Sequence, residues 1–164
     1  MTEKNASPNI GTLALRRPIG DIVFSLAKAS ISAVDKDGVI FVDLYVNTKR
    51  PPIKGIPHDE YMAARPNAEV TIQIPAADYH SLIGRRFSVP KSWDAALDDH
   101  VSCIYCFEHD DLNDNEISFV QRSGNSIKLK WTGTTAEGYC ENSNIRVEIE
   151  GWFAFEGENS FLEK

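Results

Sequence analysis

Three cysteines and a histidine offer the sharpest chemistry in the sequence. Cys103-x-x-Cys106-x-x-His109, with Cys140 further on, has the donor set of a tetrahedral zinc site. The same spacing argues against zinc, because residues three apart along a strand point to opposite faces and converge only if the chain turns between them. An odd number of cysteines at irregular spacing is not a disulfide framework either, so all three are expected as thiols behaving as small buried hydrophobes. The next segment is rich in oxygen donors. Asp111, Asn113 and Asn115 occupy the first three alternate positions of a calcium loop, but Glu116 stands where the turn needs Gly and Arg122 where the closing bidentate Glu belongs. That leaves an irregular calcium site on Asp110, Asp111 and Asp114 as the cation reading of 109–115, against the preferred one of a solvated hairpin tip. No cofactor or metal is expected.

Nucleophilic catalysis needs a serine or cysteine held beside a base, and no G-x-S-x-G elbow is present. His58, His80, His100 and His109 fall in loops or at element ends, where surface histidines are commoner than general bases. A hydrolase would have to assemble its His and Asp residues from separate segments, with His100 and His109 the candidates. Glycine-rich phosphate loops are missing, since Gly84 and Gly133 stand alone. Three basic clusters, Arg16-Arg17, Lys49-Arg50 with Lys54, and Arg85-Arg86, would bind an anion only if the fold brought them together.

The aromatic residues point to recognition. Opposite Ile149 and Phe153, the alternation of the last apolar segment places Glu148, Glu150 and Trp152 on one polar face. In an earlier segment Tyr45 shares a face with Asp43 and Asn47. Large aromatics among carboxylates suit protein-contact hot spots or stacking against sugar rings, and these five residues, Trp152, Glu148, Glu150, Tyr45 and Asp43, are the predicted binding residues.

Positioning them requires strands. Ile22, Phe24 and Leu26 alternate, continuing more weakly to Val34; Asp35-Lys36-Asp37-Gly38 supplies a turn; Ile40, Val42, Leu44 and Val46 alternate on the return. Residues 21–48 therefore read as a long hairpin. Four prolines between Thr48 and Asn67 exclude a central element there and leave a long loop with one helical turn near 59–64. Val70, Ile72 and Ile74 form a strand, 76–82 a short helix, and 93–99 a second helix with Ser92 as its N-cap. Segments 101–108 and 116–122 flank the polar run, Ile127, Leu129 and Trp131 alternate with polar residues, and Ile145 to Phe155 do so over a longer span. Gly151 marks a bulge or a close backbone approach. Seven to nine strands joined by short turns, without long crossovers, predict a mainly β fold: an antiparallel two-sheet sandwich or open barrel with one to three short helices.

At 164 residues and 42% apolar content, the chain matches one domain, with 1–11 a flexible tail and 12–164 the β-rich body. Neither a secretory signal nor an apolar run of eighteen residues occurs, which predicts a soluble, reducing, cytoplasmic setting and no membrane. The net charge of −7 is uneven: residues 1–91 hold 12 basic and 9 acidic side chains, residues 92–164 hold 5 and 15. Such a field argues against nucleic acid and admits a basic protein partner. The resulting expectation is a non-catalytic binding domain, monomeric or homodimeric, that recognises another protein through an acidic, aromatic-bearing sheet face. Bacterial toxin-neutralising immunity proteins are of this general type, being small, acidic, cytoplasmic and often without cofactors. A carbohydrate or small-ligand module using Trp93, Trp131 or Trp152, and the scattered hydrolase, are the alternatives.

Overall fold

In the computed structural model of the protein the described residues are 9–55, 60–136 and 143–157. Twelve strands run among them: β1 (Gly11–Arg16), β2 (Ile22–Lys36), β3 (Val39–Thr48), β4 (Asn67–Pro75), β5 (Arg86–Val89), β6 (Trp93–Asp94), β7 (Asp99–His100), β8 (Ser102–Tyr105), β9 (His109–Asp111), β10 (Asn113–Ser123), β11 (Ser126–Ala136) and β12 (Ser143–Phe155). Short 3₁₀ turns at Glu60–Ala63 and Ala76–Ser81 occupy two of the three predicted helical sites. No helix of the described residues is long and apolar enough to cross a membrane.

Ten strands form one sheet in the order β5-β10-β11-β12-β1-β2-β3-β4-β8-β9, and β6 pairs with β7 alone. The chain itself joins the two edges: β9, at one end of this order, passes through the single residue Leu112 into β10, which lies next to the other end. The sheet therefore curls into an open barrel, with Leu13, Phe24, Leu44, Phe119, Trp131 and Phe153 in one continuous core. Each contributes the burial free energy of a large apolar side chain, on the order of 2 kcal/mol.

The long hairpin forms as the sequence dictates. Asp37 and Gly38 both have positive φ, 55° and 86°, as a two-residue type I′ turn demands, and Asp35 Oδ1 accepts from the Gly38 N–H at 3.0 Å. The apolar phase of β2 does not continue to Val34, however. A bulge lies between Leu26 and Lys28, after which Ala29 and Ile31 take the inner positions and Val34 turns out to solvent. Gly151 is a close-approach glycine: it sits opposite Gly11, and a Cβ there would lie 2.5 Å from the carbonyl oxygen of Ile10. Where β1 begins, its neighbours β12 and β2 meet directly, pairing Ala154 with Ser30 in the one parallel register found among the described residues.

Two further sequence expectations fail. Residues 93–99 are not a helix but the β6–β7 hairpin. Asp94 Oδ1 accepts from the N–H groups of Ala96 and Leu97 and Asp98 has a φ of 54°, so the segment folds back on itself, while Ser92 turns its hydroxyl inward instead of capping. Nor is 109–115 a solvated tip, because Leu112 and Asn115 are fully buried. Of the expected tail, residues 1–8 lie outside the described residues; Ile10 already binds the Trp152 N–H and Gly11 belongs to β1.

Candidate functional site

The five predicted binding residues all face outward, but four of them are spread over three separate depressions and Trp152 lines none of the three. Glu148 and Glu150 line a cleft with Arg16, Lys130, Thr132 and Arg146, Tyr45 lines a second, and Asp43 a third. Trp152, half-buried, follows Glu150 along β12 opposite Lys128. The carboxylates of β12 are charge-paired. Glu148 accepts from Arg16 Nη2 at 3.1 Å and Arg146 Nε at 2.9 Å, and Glu150 lies 3.6 Å from Lys128 Nζ. The Arg16 pKa is raised, first by its hydrogen bond to Asp21 and then by that to Glu148. With four cations around two carboxylates, this face is not the acidic one expected.

Ser92, His100 and Asp111 come together from three segments, which no spacing in the sequence announced. Ser92 Oγ is 3.0 Å from Asp111 Oδ1 and 3.4 Å from His100 Nδ1, and His100 Nδ1 is 3.8 Å from the same carboxylate oxygen. A catalytic triad needs the acid on one imidazole nitrogen and the serine on the other. Here one nitrogen faces both, Ser92 is only 1% exposed, and its hydroxyl binds the backbone carbonyl of Ser102. The arrangement is a clasp: the Ser92 N–H also donates to Asn113 Oδ1 and the Ser92 carbonyl accepts from the Val101 N–H, tying the chain after β5 to β8, β9 and β10.

Held by this clasp, the β6–β7 hairpin projects from the barrel with apolar side chains in water. Trp93 is 47% exposed and lies edge-on to His100, with ring centroids 5.0 Å apart; Leu97 is 40% exposed, and Val34 on β2 is 52% exposed. Two clefts flank the hairpin, and Thr71 and Val101 line both. The larger, about 490 Å³, includes Trp93, Phe87, Pro90 and Ala96; the smaller, about 360 Å³, includes Val34, Phe41, Leu97 and His100. Carboxylates dominate the rim. Asp43, Asp94 and Asp99 line the clefts and Asp98 stands exposed between the two strands, against Lys36 and Lys91, and Lys36 is drawn over the Phe41 ring at 4.7 Å. Trp131, by contrast, is a core residue whose Nε1 donates to Asn115 Oδ1 at 2.9 Å, so it offers no stacking surface to a ligand.

The donors considered for cations do not converge. Cys103 points outward, with its thiol 3.3 Å from Glu69 Oε1, whereas Cys106 packs against the core; Cys140 and His58 lie outside the described residues. Asp110 and Asp111 are successive strand residues, and the Asp114 carboxylate accepts from Thr134 Oγ1 at 3.0 Å. No set of three metal-ligating side chains is grouped among the described residues. Burial, and then the hydrogen bond to Glu69, push the Cys103 pKa up to about 12, so the thiol stays protonated near neutrality. Since only the thiolate attacks, Cys103 should alkylate with iodoacetamide at pH 8 roughly a hundredfold more slowly than a small free thiol, and peptide mapping after timed quenching checks this; labelling at the free-thiol rate would refute it. No protein-family model matches the chain, and no curated protein or solved structure shows significant similarity to it.

Proposed function

We propose that this chain is a non-catalytic binding domain that recognises a basic protein surface through the β6–β7 hairpin and the outer face of β3 beside it. The observation that carries the reading is the exposure of Trp93, Leu97 and Val34, three of the exposed large apolar side chains, along the two clefts that flank one hairpin, where aspartates outnumber lysines. A water-exposed tryptophan on a hairpin that also exposes a leucine, with aspartates outnumbering lysines around the two clefts, has the composition of an interface hot spot. Asp43 keeps its predicted role in this reading, while the aromatic anchor moves from Trp152 to Trp93. The charge-paired face of β12 offers a partner less, because its carboxylates already hold arginine and lysine. Neutralisation of a basic toxin by an immunity-type protein is one setting such a surface would serve.

The test starts with a photo-crosslinking amino acid at Leu97 and, as a control, at Ser123 at the end of β10, followed by identification of the captured protein and titration of the purified pair. Trp93→Ala is expected to weaken binding roughly thirtyfold, the effect of losing one hot-spot side chain. Salt should weaken it further, whereas Trp152→Ala should leave it unchanged. Equal capture at both positions, or an affinity indifferent to Trp93→Ala, would overturn the reading.

A further inference from the structure

We propose that the cleft at the C-terminal end of β3 binds a small phosphorylated, hydroxyl-bearing molecule of the sugar-phosphate type. It measures about 520 Å³, within the range of small-ligand sites, and Lys49, Arg50, Arg65, Tyr45, Asn47 and Asn67 line it. Elsewhere the basic clusters are already paired: Arg16 with Asp21 and Glu148, Arg85 with Asp78, and Arg86 with Glu116. Lys49, Arg50 and Arg65 have no carboxylate within ion-pair distance among the described residues, and the one hydrogen bond found for their side chains runs from Arg50 Nη1 to the Ala63 carbonyl at 3.2 Å. Three like charges converging on one cleft repel one another, and an oxyanion relieves that repulsion. Two guanidinium forks match a phosphate's oxygens in a way that a lone ammonium does not.

A second observation, independent of charge, fixes the rest of the ligand. Asn47 Oδ1 is buried in the wall of the cleft and has no donor among the described residues. Such an acceptor costs free energy where it lies, and a turn of the Asn47 side chain toward the cleft would let a hydroxyl group on the ligand donate to it. Tyr45 beside it supplies a ring face on which a sugar can lie. The fold builds this cleft deliberately: the β2 bulge sets small Ala27 in its wall, and buried Thr48 donates to the Pro66 carbonyl at 2.7 Å, anchoring the segment that carries Arg65.

The experiment is NMR titration of the isotope-labelled protein at low ionic strength with glucose, inorganic phosphate and glucose 6-phosphate, each to about 10 mM, where even a Kd near 1 mM approaches saturation. Glucose 6-phosphate is expected to shift the Asn47 side-chain amide and the Arg50 and Arg65 Nε–H signals saturably, binding roughly tenfold tighter than phosphate, with glucose silent. Arg50→Ala and Arg65→Ala should each weaken it about tenfold, and Asn47→Ala should erase the preference for the sugar phosphate over phosphate. Because Arg50 and Arg65 are exposed, these variants should retain the wild-type amide spectrum elsewhere, which the same spectra report. Absence of saturable shifts, shifts that persist in the double arginine variant, or equal affinity for phosphate and glucose 6-phosphate would each overturn the proposal.

Discussion

Replacing Asn115 with alanine is expected to lower the unfolding free energy by about 3 kcal/mol or more, a large loss for a single polar residue. The side chain is 0% exposed and serves both ends of its amide. Its Nδ2 lies 2.8 Å from the Leu112 carbonyl, 3.0 Å from Ser102 Oγ and 3.1 Å from the Val89 carbonyl, while its Oδ1 accepts from Trp131 Nε1 at 2.9 Å. Alanine would leave a buried indole N–H without an acceptor and strip a donor from groups on β5, β8 and the β9–β10 junction. Each stranded group costs on the order of 1–3 kcal/mol, and the vacated volume adds to that. Urea unfolding at unchanged m-value measures the effect; a midpoint corresponding to a loss below about 0.5 kcal/mol would show that the network contributes little.

This residue also marks where the sequence stops being readable. The β2–β3 hairpin, β11 and β12 are legible because two-residue alternation is a direct consequence of the pleat and because Asp37-Gly38 can hardly do anything but turn. The segment 109–115 misleads because six of its seven residues are polar, and polarity alone reads as loop. Asn115 goes inside nonetheless, since the fold supplies partners for its whole amide, a tertiary fact that no local pattern records. Ala95-Ala96-Leu97 after Ser92 misleads in the opposite sense: their helix propensity is real, but the side chain of Asp94 and the left-handed Asp98 fold the chain back before a second turn can form.

The candidate surfaces were legible in kind rather than in place. Carboxylates around an exposed aromatic are present, but around Trp93, which sequence reading assigned to a helix. The β12 carboxylates were read without their cations, because Arg16 lies 132 residues from Glu148 in the chain. Lys49-Arg50 was recognised as a basic pair with Lys54; the fold sends Lys54 into a bridge with Val23 and substitutes Arg65, which lies at the far end of the proline-rich loop and carried no local signal.

The second large effect concerns Leu112, the single residue that carries the chain from β9 to β10 and so from one sheet edge to the other. It is fully buried, and Leu112→Ala should cost about 3 kcal/mol, the usual loss for a leucine in a core that relaxes only in part. Gly133 makes the prediction sharper than a simple truncation. A Cβ added there would lie 2.9 Å from Leu112 Cδ1, 3.1 Å from its Cγ and 3.0 Å from Asn115 Oδ1, so Gly133→Ala alone overpacks the site and should cost about 1–2 kcal/mol. In the double variant the new methyl enters space that the leucine has left, which removes two of those three close approaches. The combined loss should therefore fall short of the sum of the single losses by about 1 kcal/mol, a coupling that urea unfolding of the four proteins resolves. Additive losses would mean that residues 112 and 133 do not share one packing site, and that the junction closing the barrel is looser than its geometry implies.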